Sequence, residues 1–140
     1  MMKLTLPNDI DRIPQLNEFI DSACDEYGID MATAISLNLA VEEAVVNVMN
    51  YAYAEGTTGY VDIETALAGD VITIVISDRG TPFDPTTCAE VDTTLSAEER
   101  PIGGLGVHLI RQIMDTVSYK RQDNCNILTL TKNIHQNNNR

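Results

Sequence analysis

A chain of 140 residues with 44% hydrophobic side chains is sized for one domain with its own core. Nine Lys and Arg against 21 Asp and Glu leave a formal net charge of −12, and no basic patch offsets it, which argues against a general nucleic-acid binder. The opening MMKLTLPND lacks the apolar core of a signal peptide, and no apolar run approaches the ~20 residues of a membrane span, so a cytoplasmic protein with no membrane contact is expected.

In chain order, residues 3–7 (KLTLP) read as a short strand ended by Pro7. Leu16, Phe19, Ile20, Ala23 and Cys24 recur at helical spacing ahead of Gly28, which predicts a first helix over about 11–27. Asp30 is placed to cap a second helix that reaches about residue 54, with Gly56 past its end. Leu37, Val41, Ala44, Val45, Val48 and Ala52 form its core stripe. The neighbouring stripe (Ser36, Ala40, Glu43, Asn47, Asn50) is small or polar. Val61, Ile63, Thr65 and Leu67 alternate with Asp62, Glu64 and Ala66, as in a half-buried strand, and residues 68–70 (AGD) signal a tight turn. Residues 71–77 (VITIVIS) are apolar on both faces, which predicts a central strand. Residues 78–102 have no periodicity, and a connection that long inside a small domain reads as a functional lid. A third helix over about 104–114 and a closing hairpin around Asp123 and Asn124 complete the pattern.

Strand, two helices, two strands, lid, helix and hairpin imply an α+β fold. Helices would cover one mostly antiparallel sheet, in a single domain over 1–134 with a polar tail at 135–140. Cys24, Cys88 and Cys125 form no CxxC pair and read as free thiols in a reducing compartment.

Three motifs carry chemistry. Glu43 and Asn47 stand one helical turn apart on one face, and a buried carboxylate and amide are costly there unless they meet partners. The carboxylate suits a general base and the amide oxygen a hard cation; alone, the pair is better read as a solvated helix face. In SDRGTPFDP (77–85), Asp78 follows an apolar strand and can accept from an exocyclic amine, while Gly80 allows close backbone approach; an ordinary turn has the same composition. In GGLGVHLI (103–110), glycines at a loop-to-helix junction offer free N–H groups at the positive end of a helix dipole, a phosphate site that is neither GxGxxG nor a P-loop.

Together, EEAVVNVMNYAY, DRGTPFDP and RPIGGLGVHLI, followed by NILTLTK, resemble the ATP-binding boxes of the GHKL (histidine-kinase-like) ATPase superfamily, and most of all its anti-sigma factor serine/threonine kinases. The resemblance covers about residues 3–132. It implies ATP and Mg²⁺ as cofactors, Glu43 as the general base, and Asn47 as the residue holding Mg²⁺ against the phosphates. It places Asp78 on the adenine amine, Gly80 under the base, and Phe83 in the nucleotide pocket. Gly103, Gly104, Leu105 and Gly106 would line the phosphates, Thr129 would stand near adenine, and Arg100 in the lid at 86–102 could clamp the γ-phosphate. Thr81-Pro82-Phe83 stands where many members have a second glycine, and Tyr51 where the small kinases often have histidine.

The implied function is a cytoplasmic kinase that phosphorylates a small STAS-domain antagonist protein. A sigma factor is the second partner the resemblance implies, and the chain is expected to form a homodimer. An ATP-gated binding protein without kinase activity is the alternative. A histidine kinase would need a phosphoacceptor helical hairpin before the first helix, and a gyrase-like clamp a transducer domain; neither is expected here.

Overall fold

The computed structural model describes residues 1–54, 56–87 and 104–134. Strand β1 spans Met2–Pro7, and helix α1, entered through a single 3₁₀ turn, spans Ile13–Glu26 with Pro14 in its first turn, where a missing N–H costs nothing. Gly28 adopts φ +70 and ends α1, as its position suggested. The Asp30 side chain then accepts from Thr33 N at 2.7 Å and caps α2 (Met31–Asn47). The α-helical part of this element is shorter than expected. From Val48 to Ala52 the backbone widens into a π-helical turn, and only then does the chain leave the helix.

Strands β2 (Tyr60–Ala68) and β3 (Val71–Asp78) form a hairpin around Gly69. Helix α3 covers Gly104–Ile113, and β4 (Thr116–Gln122) and β5 (Cys125–Asn133) close the chain. Their turn places Asp123 and Asn124 at φ 54 and 65, the left-handed pair that a tight hairpin requires and that Asp and Asn tolerate. The five strands lie in the order β1-β2-β3-β5-β4, antiparallel throughout, so β3 is the central strand. The architecture is the α+β layer of helices on an antiparallel sheet that the element order implied.

One face of the sheet carries the core. Leu6, Val61, Ile63, Ile72, Ile74, Ile76, Leu128 and Leu130 are buried against Leu16 and Ile20 of α1, Leu37, Val41 and Val45 of α2, and Ile110 of α3. Each such side chain stabilises the fold by about 1.5–3 kcal/mol relative to exposure. Thr65, buried among them, pairs with the Tyr27 hydroxyl at 3.0 Å, so it is not left unsatisfied. The helical run Met31–Ala52 is 22 residues long and holds an 18-residue window of mean hydropathy 1.2, which by length and composition alone is enough to cross a membrane. Its apolarity has another use here: α2 is wedged between the sheet, α1 and α3, and buries Leu37, Ala40, Val41, Ala44 and Val45.

Candidate functional site

The site is assembled where β3 ends. Strand alternation carries Asp78 onto the same face as Ile72, Ile74 and Ile76, toward the helices. Register places Asn126 of β5 directly opposite. Asp78 Oδ1 accepts from Gly80 N at 2.8 Å and from Asn126 Nδ2 at 2.9 Å. Oδ2 takes no hydrogen bond among the described residues, which leaves it open to an N–H from a ligand. Burial pushes the Asp78 carboxyl above its ordinary value; the Asn126 amide, the Gly80 N–H and the Arg121 guanidinium each pull the other way without cancelling it.

Asn126 is the hub. Beyond Asp78, its Nδ2 donates to Thr81 O at 2.8 Å, while Oδ1 accepts from Phe83 N at 3.1 Å and the Tyr119 hydroxyl at 2.6 Å. One buried amide thereby fixes the whole 78–83 turn, with all four of its hydrogen-bonding positions used. The resemblance drew attention to Thr129 near adenine, with Asn126 as the other nearest match to a family pair. Parity separates them: Thr129 pairs with Val75 and Ser118, on the sheet face turned away from the helices, whereas Asn126 shares the inward face with Asp78.

The same turn locks onto the end of α2. Thr81 N and Oγ1 both donate to Ala52 O, at 2.7 and 3.1 Å, satisfying a carbonyl that the helix end would otherwise leave open. Gly80 makes the approach possible, since a Cβ there would stand 2.2 Å from Ala52 O. The missing side chain at Gly80 therefore serves the contact with Ala52. Phe83 is half-buried, and its ring lies 5.8 Å from that of Tyr51 at 45°, which adds an aromatic wall.

Asn47 is 7% exposed at the last α-helical position of α2, and its Nδ2 has no partner among the described residues. A buried amide with nothing to bond is costly, so an orphan in this position marks a place prepared for a ligand. Glu43, one turn earlier on the same face, is only partly buried. Among the described residues no cluster of three His, Cys, Asp or Glu could hold a metal, so a cation beside Asn47 would need oxygens from a ligand and water. Gly104, Leu105 and Gly106 lie in the first turn of α3, which packs against α2. Gly103, Arg100 and Cys88 lie outside the described residues, as does the tail.

A model of the histidine kinase-like ATPase domain matches residues 6–132. The serine/threonine-protein kinase BtrW of Bordetella bronchiseptica is 30% identical over 96 residues, which span 69% of this chain and 68% of that protein. The serine-protein kinase RsbW of Halalkalibacterium halodurans is 27% identical over 135 residues (94% and 82%), and that of Staphylococcus aureus 37% over 101 residues (69% and 63%). Among solved structures, the RsbU and RsbW domains of Rv1364c from Mycobacterium tuberculosis superpose with a TM-score of 0.67 at 17% identity, over 96% of this chain and 33% of that one. The histidine kinase AdeS of Acinetobacter baumannii gives 0.54 at 14% identity, over 97% and 70%. At those identities the two structures bear on the fold alone. With the family match running from β1 to β5, the chain belongs to the histidine kinase-like ATPase family, in its group of anti-sigma-type serine/threonine-protein kinases.

Proposed function

We propose that this chain is an ATP-dependent serine/threonine-protein kinase of the anti-sigma type, acting in the cytoplasm on a small STAS-domain antagonist protein. The observation that carries the reading is the buried Asn47 amide, whose Nδ2 has no partner among the described residues, on the helix face that bears Glu43, together with an Asp78 carboxylate whose Oδ2 takes no hydrogen bond among those residues. Asp78 Oδ2 would accept from the adenine amine, with Phe83 and Tyr51 beside the ring. The first-turn amides of α3 at Gly104, Leu105 and Gly106, together with Gly103, would face the phosphates. Asn47 would hold Mg²⁺ through its side-chain oxygen; when bound, the ion supplies positive charge against the phosphate oxygens. Glu43 would take the proton from the attacking serine or threonine hydroxyl. That oxygen bonds the γ-phosphorus while the bond to the β–γ bridging oxygen breaks, leaving ADP and the phosphorylated protein. Arg100 is assigned to the γ-phosphate side. A sigma factor would be the second partner and a homodimer the assembly, with the kinship to the anti-sigma kinases as the support for both.

The test is capture of partners from native cytosol with Mg-ATP and, separately, with Mg-ADP, followed by phosphosite mapping and a multiple-turnover assay on the captured STAS protein. Phosphorylation of one Ser or Thr, abolished by Glu43→Gln while ATP still binds, is the expected outcome. Retained transfer in Glu43→Gln would remove Glu43 from the base role. Nucleotide-dependent capture without any phosphate transfer would replace the kinase by an ATP-gated binding protein.

A further inference from the structure

Asp78 does not stand alone at the end of β3. Register sets it in one cross-strand row with Val61 of β2, Asn126 of β5 and, one strand further, Arg121 of β4. Directly opposed residues share a sheet face, so the whole row lies on the side of the helices. Strand β4 is an edge of the sheet, and from it the Arg121 side chain reaches back past β5 to the 78–83 turn, where Nη1 donates to Gly80 O at 2.8 Å.

Gly80 is thereby held from three sides. Its N–H donates to Asp78 Oδ1 at 2.8 Å, its Cα lies against the Ala52 carbonyl, and its own carbonyl is taken by Arg121. The bond from the guanidinium is charge-assisted, and so stronger than one between neutral groups. Arg121 bonds the turn rather than the carboxylate, and positions Asp78 through Gly80.

It also acts on Asp78 by its charge. The titratable groups that share an electrostatic interaction with Asp78 are Tyr53, beyond the π turn, and Tyr119 and Arg121 of β4. In the same row β2 presents the apolar Val61, and Arg79, next in sequence, is exposed and is not among the groups that shift Asp78. Burial, above all, raises both tyrosine hydroxyls from their ordinary value, so they stay neutral wherever a carboxyl titrates. Among the described residues that leaves the Arg121 guanidinium as the formal charge that favours an ionised Asp78, against a burial that favours the neutral acid.

The protonation state decides what Asp78 can read. Oδ1 already accepts two hydrogen bonds, from Gly80 N and Asn126 Nδ2, so a proton taken up by the carboxyl sits on Oδ2. Ionised, Oδ2 accepts from a ligand N–H. Protonated, it is a donor that opposes an amine and matches a carbonyl oxygen. Purines differ in this way at one position, which carries an amine in adenine and a carbonyl in hypoxanthine.

We propose that Arg121 is a positioning residue that sets base specificity: by clamping Gly80 and facing Asp78 with a positive charge, it keeps Oδ2 an acceptor, so the pocket takes an aminopurine over an oxopurine. The specificity rests on the nucleotide reading of the site; the hold of Arg121 on Gly80 and Asp78 does not.

The test measures dissociation constants of ATP and of ITP, its hypoxanthine counterpart, for the full chain across the Asp78 titration. A carbon-13 NMR titration of the Asp78 carboxyl runs in parallel on the nucleotide-free protein. The phosphates titrate alike in the two nucleotides, so their ratio isolates the base end. Wild type should prefer ATP at least about tenfold above the titration and lose the preference as Asp78 protonates. In Arg121→Gln the carboxyl should titrate at a higher pH, and at the wild-type midpoint the preference should be at least about threefold below that of wild type. Arg121→Lys keeps the charge and a donor, and should return both toward wild type. Arg121 is exposed on an edge strand, and Arg121→Met, which keeps the apolar stem, serves if Gln disturbs the fold. An unmoved Asp78 titration in the neutral variants, or a preference lowered by one factor at every pH, would overturn the assignment, since a merely structural loss carries no pH dependence. Equal affinity for ATP and ITP in wild type at every pH overturns the specificity role. A chain that binds neither nucleotide refutes the proposed function, while the carboxyl titration still decides whether Arg121 sets the charge on Asp78.

Discussion

Replacing Asn126 by leucine keeps the side-chain volume and removes the amide that ties the 78–83 turn together. Three of its bonds, to Thr81 O, from Phe83 N and from the Tyr119 hydroxyl, are neutral and worth about 1 kcal/mol each; the one to the Asp78 carboxylate is worth about 1.5–3 kcal/mol. The simple sum overstates the loss. Thr81 is exposed and Phe83 and Tyr119 are half-buried, so their freed groups regain water, whereas Asp78 is 4% exposed and does not. Set against the added apolar burial of leucine, the net cost is about 2 kcal/mol, or a fall in Tm of about 5–10 °C for a domain of this size.

The pH dependence identifies the cause. The Asp78 carboxyl already sits above its ordinary value of 3.8, and Asn126 is the largest influence holding it down, so in the variant it rises further. Above both raised values the carboxylate is charged in the fold and the lost bond counts in full. Below the wild-type value Asp78 is protonated in both proteins, and that part of the difference disappears. Urea unfolding should therefore show a wide gap at a pH above the Asp78 titration that narrows at a pH below it. A variant within about 0.5 kcal/mol of wild type, or a gap of equal size at both pH values, would refute the reasoning.

Asp78→Asn should lower ATP affinity about tenfold or more, since an amide nitrogen replaces the free acceptor, while stability at neutral pH holds because a desolvated charge is gone; loss of stability with intact binding would reverse the assignment. Gly80→Ala should cost about 3 kcal/mol or more in a thermal melt, because its Cβ meets the backbone of Ala52 and no side chain can yield; an unchanged Tm would mean that the turn and the helix end are not in contact. Burial and the nearby Asp21 push the Cys24 thiol up to about 11, so at mildly alkaline pH it should resist alkylation that labels the partly exposed Cys125. Site-resolved mass spectrometry reads the two rates, and equal labelling contradicts the burial.

What could be read from the chain was local. Val61, Ile63 and Thr65 announced β2 by alternation, Asp30 announced the cap of α2, and Asp123 with Asn124 announced the last hairpin; each signal acts within a few residues. What escaped depends on partners far along the chain. The helix that begins after Asp30 has the apolar pattern to continue as an α-helix to residue 54, but it ends in a π turn whose last carbonyl, that of Ala52, accepts from Thr81, 29 positions further on. Gly80 was legible as a close approach, but not as an approach to Ala52. Thr129 and Asn126 are separated only by strand parity, which is fixed once β5 pairs with β3. Asn126 carried a signal, a polar residue at an inward position of an apolar strand, that points to a site before any partner is known.

The π turn joins Asn47 to Ala52, and Ala52 carries the turn that succeeds Asp78. In the proposed site, the residue nearest the metal and the residues nearest the base are thus two ends of one short lever. A base that seated badly would tilt the turn, and the tilt would reach the phosphate end. Discrimination between nucleotides would then be felt in the rate of phosphate transfer as well as in residence time, and a poorly matched nucleotide would be held in a non-productive pose.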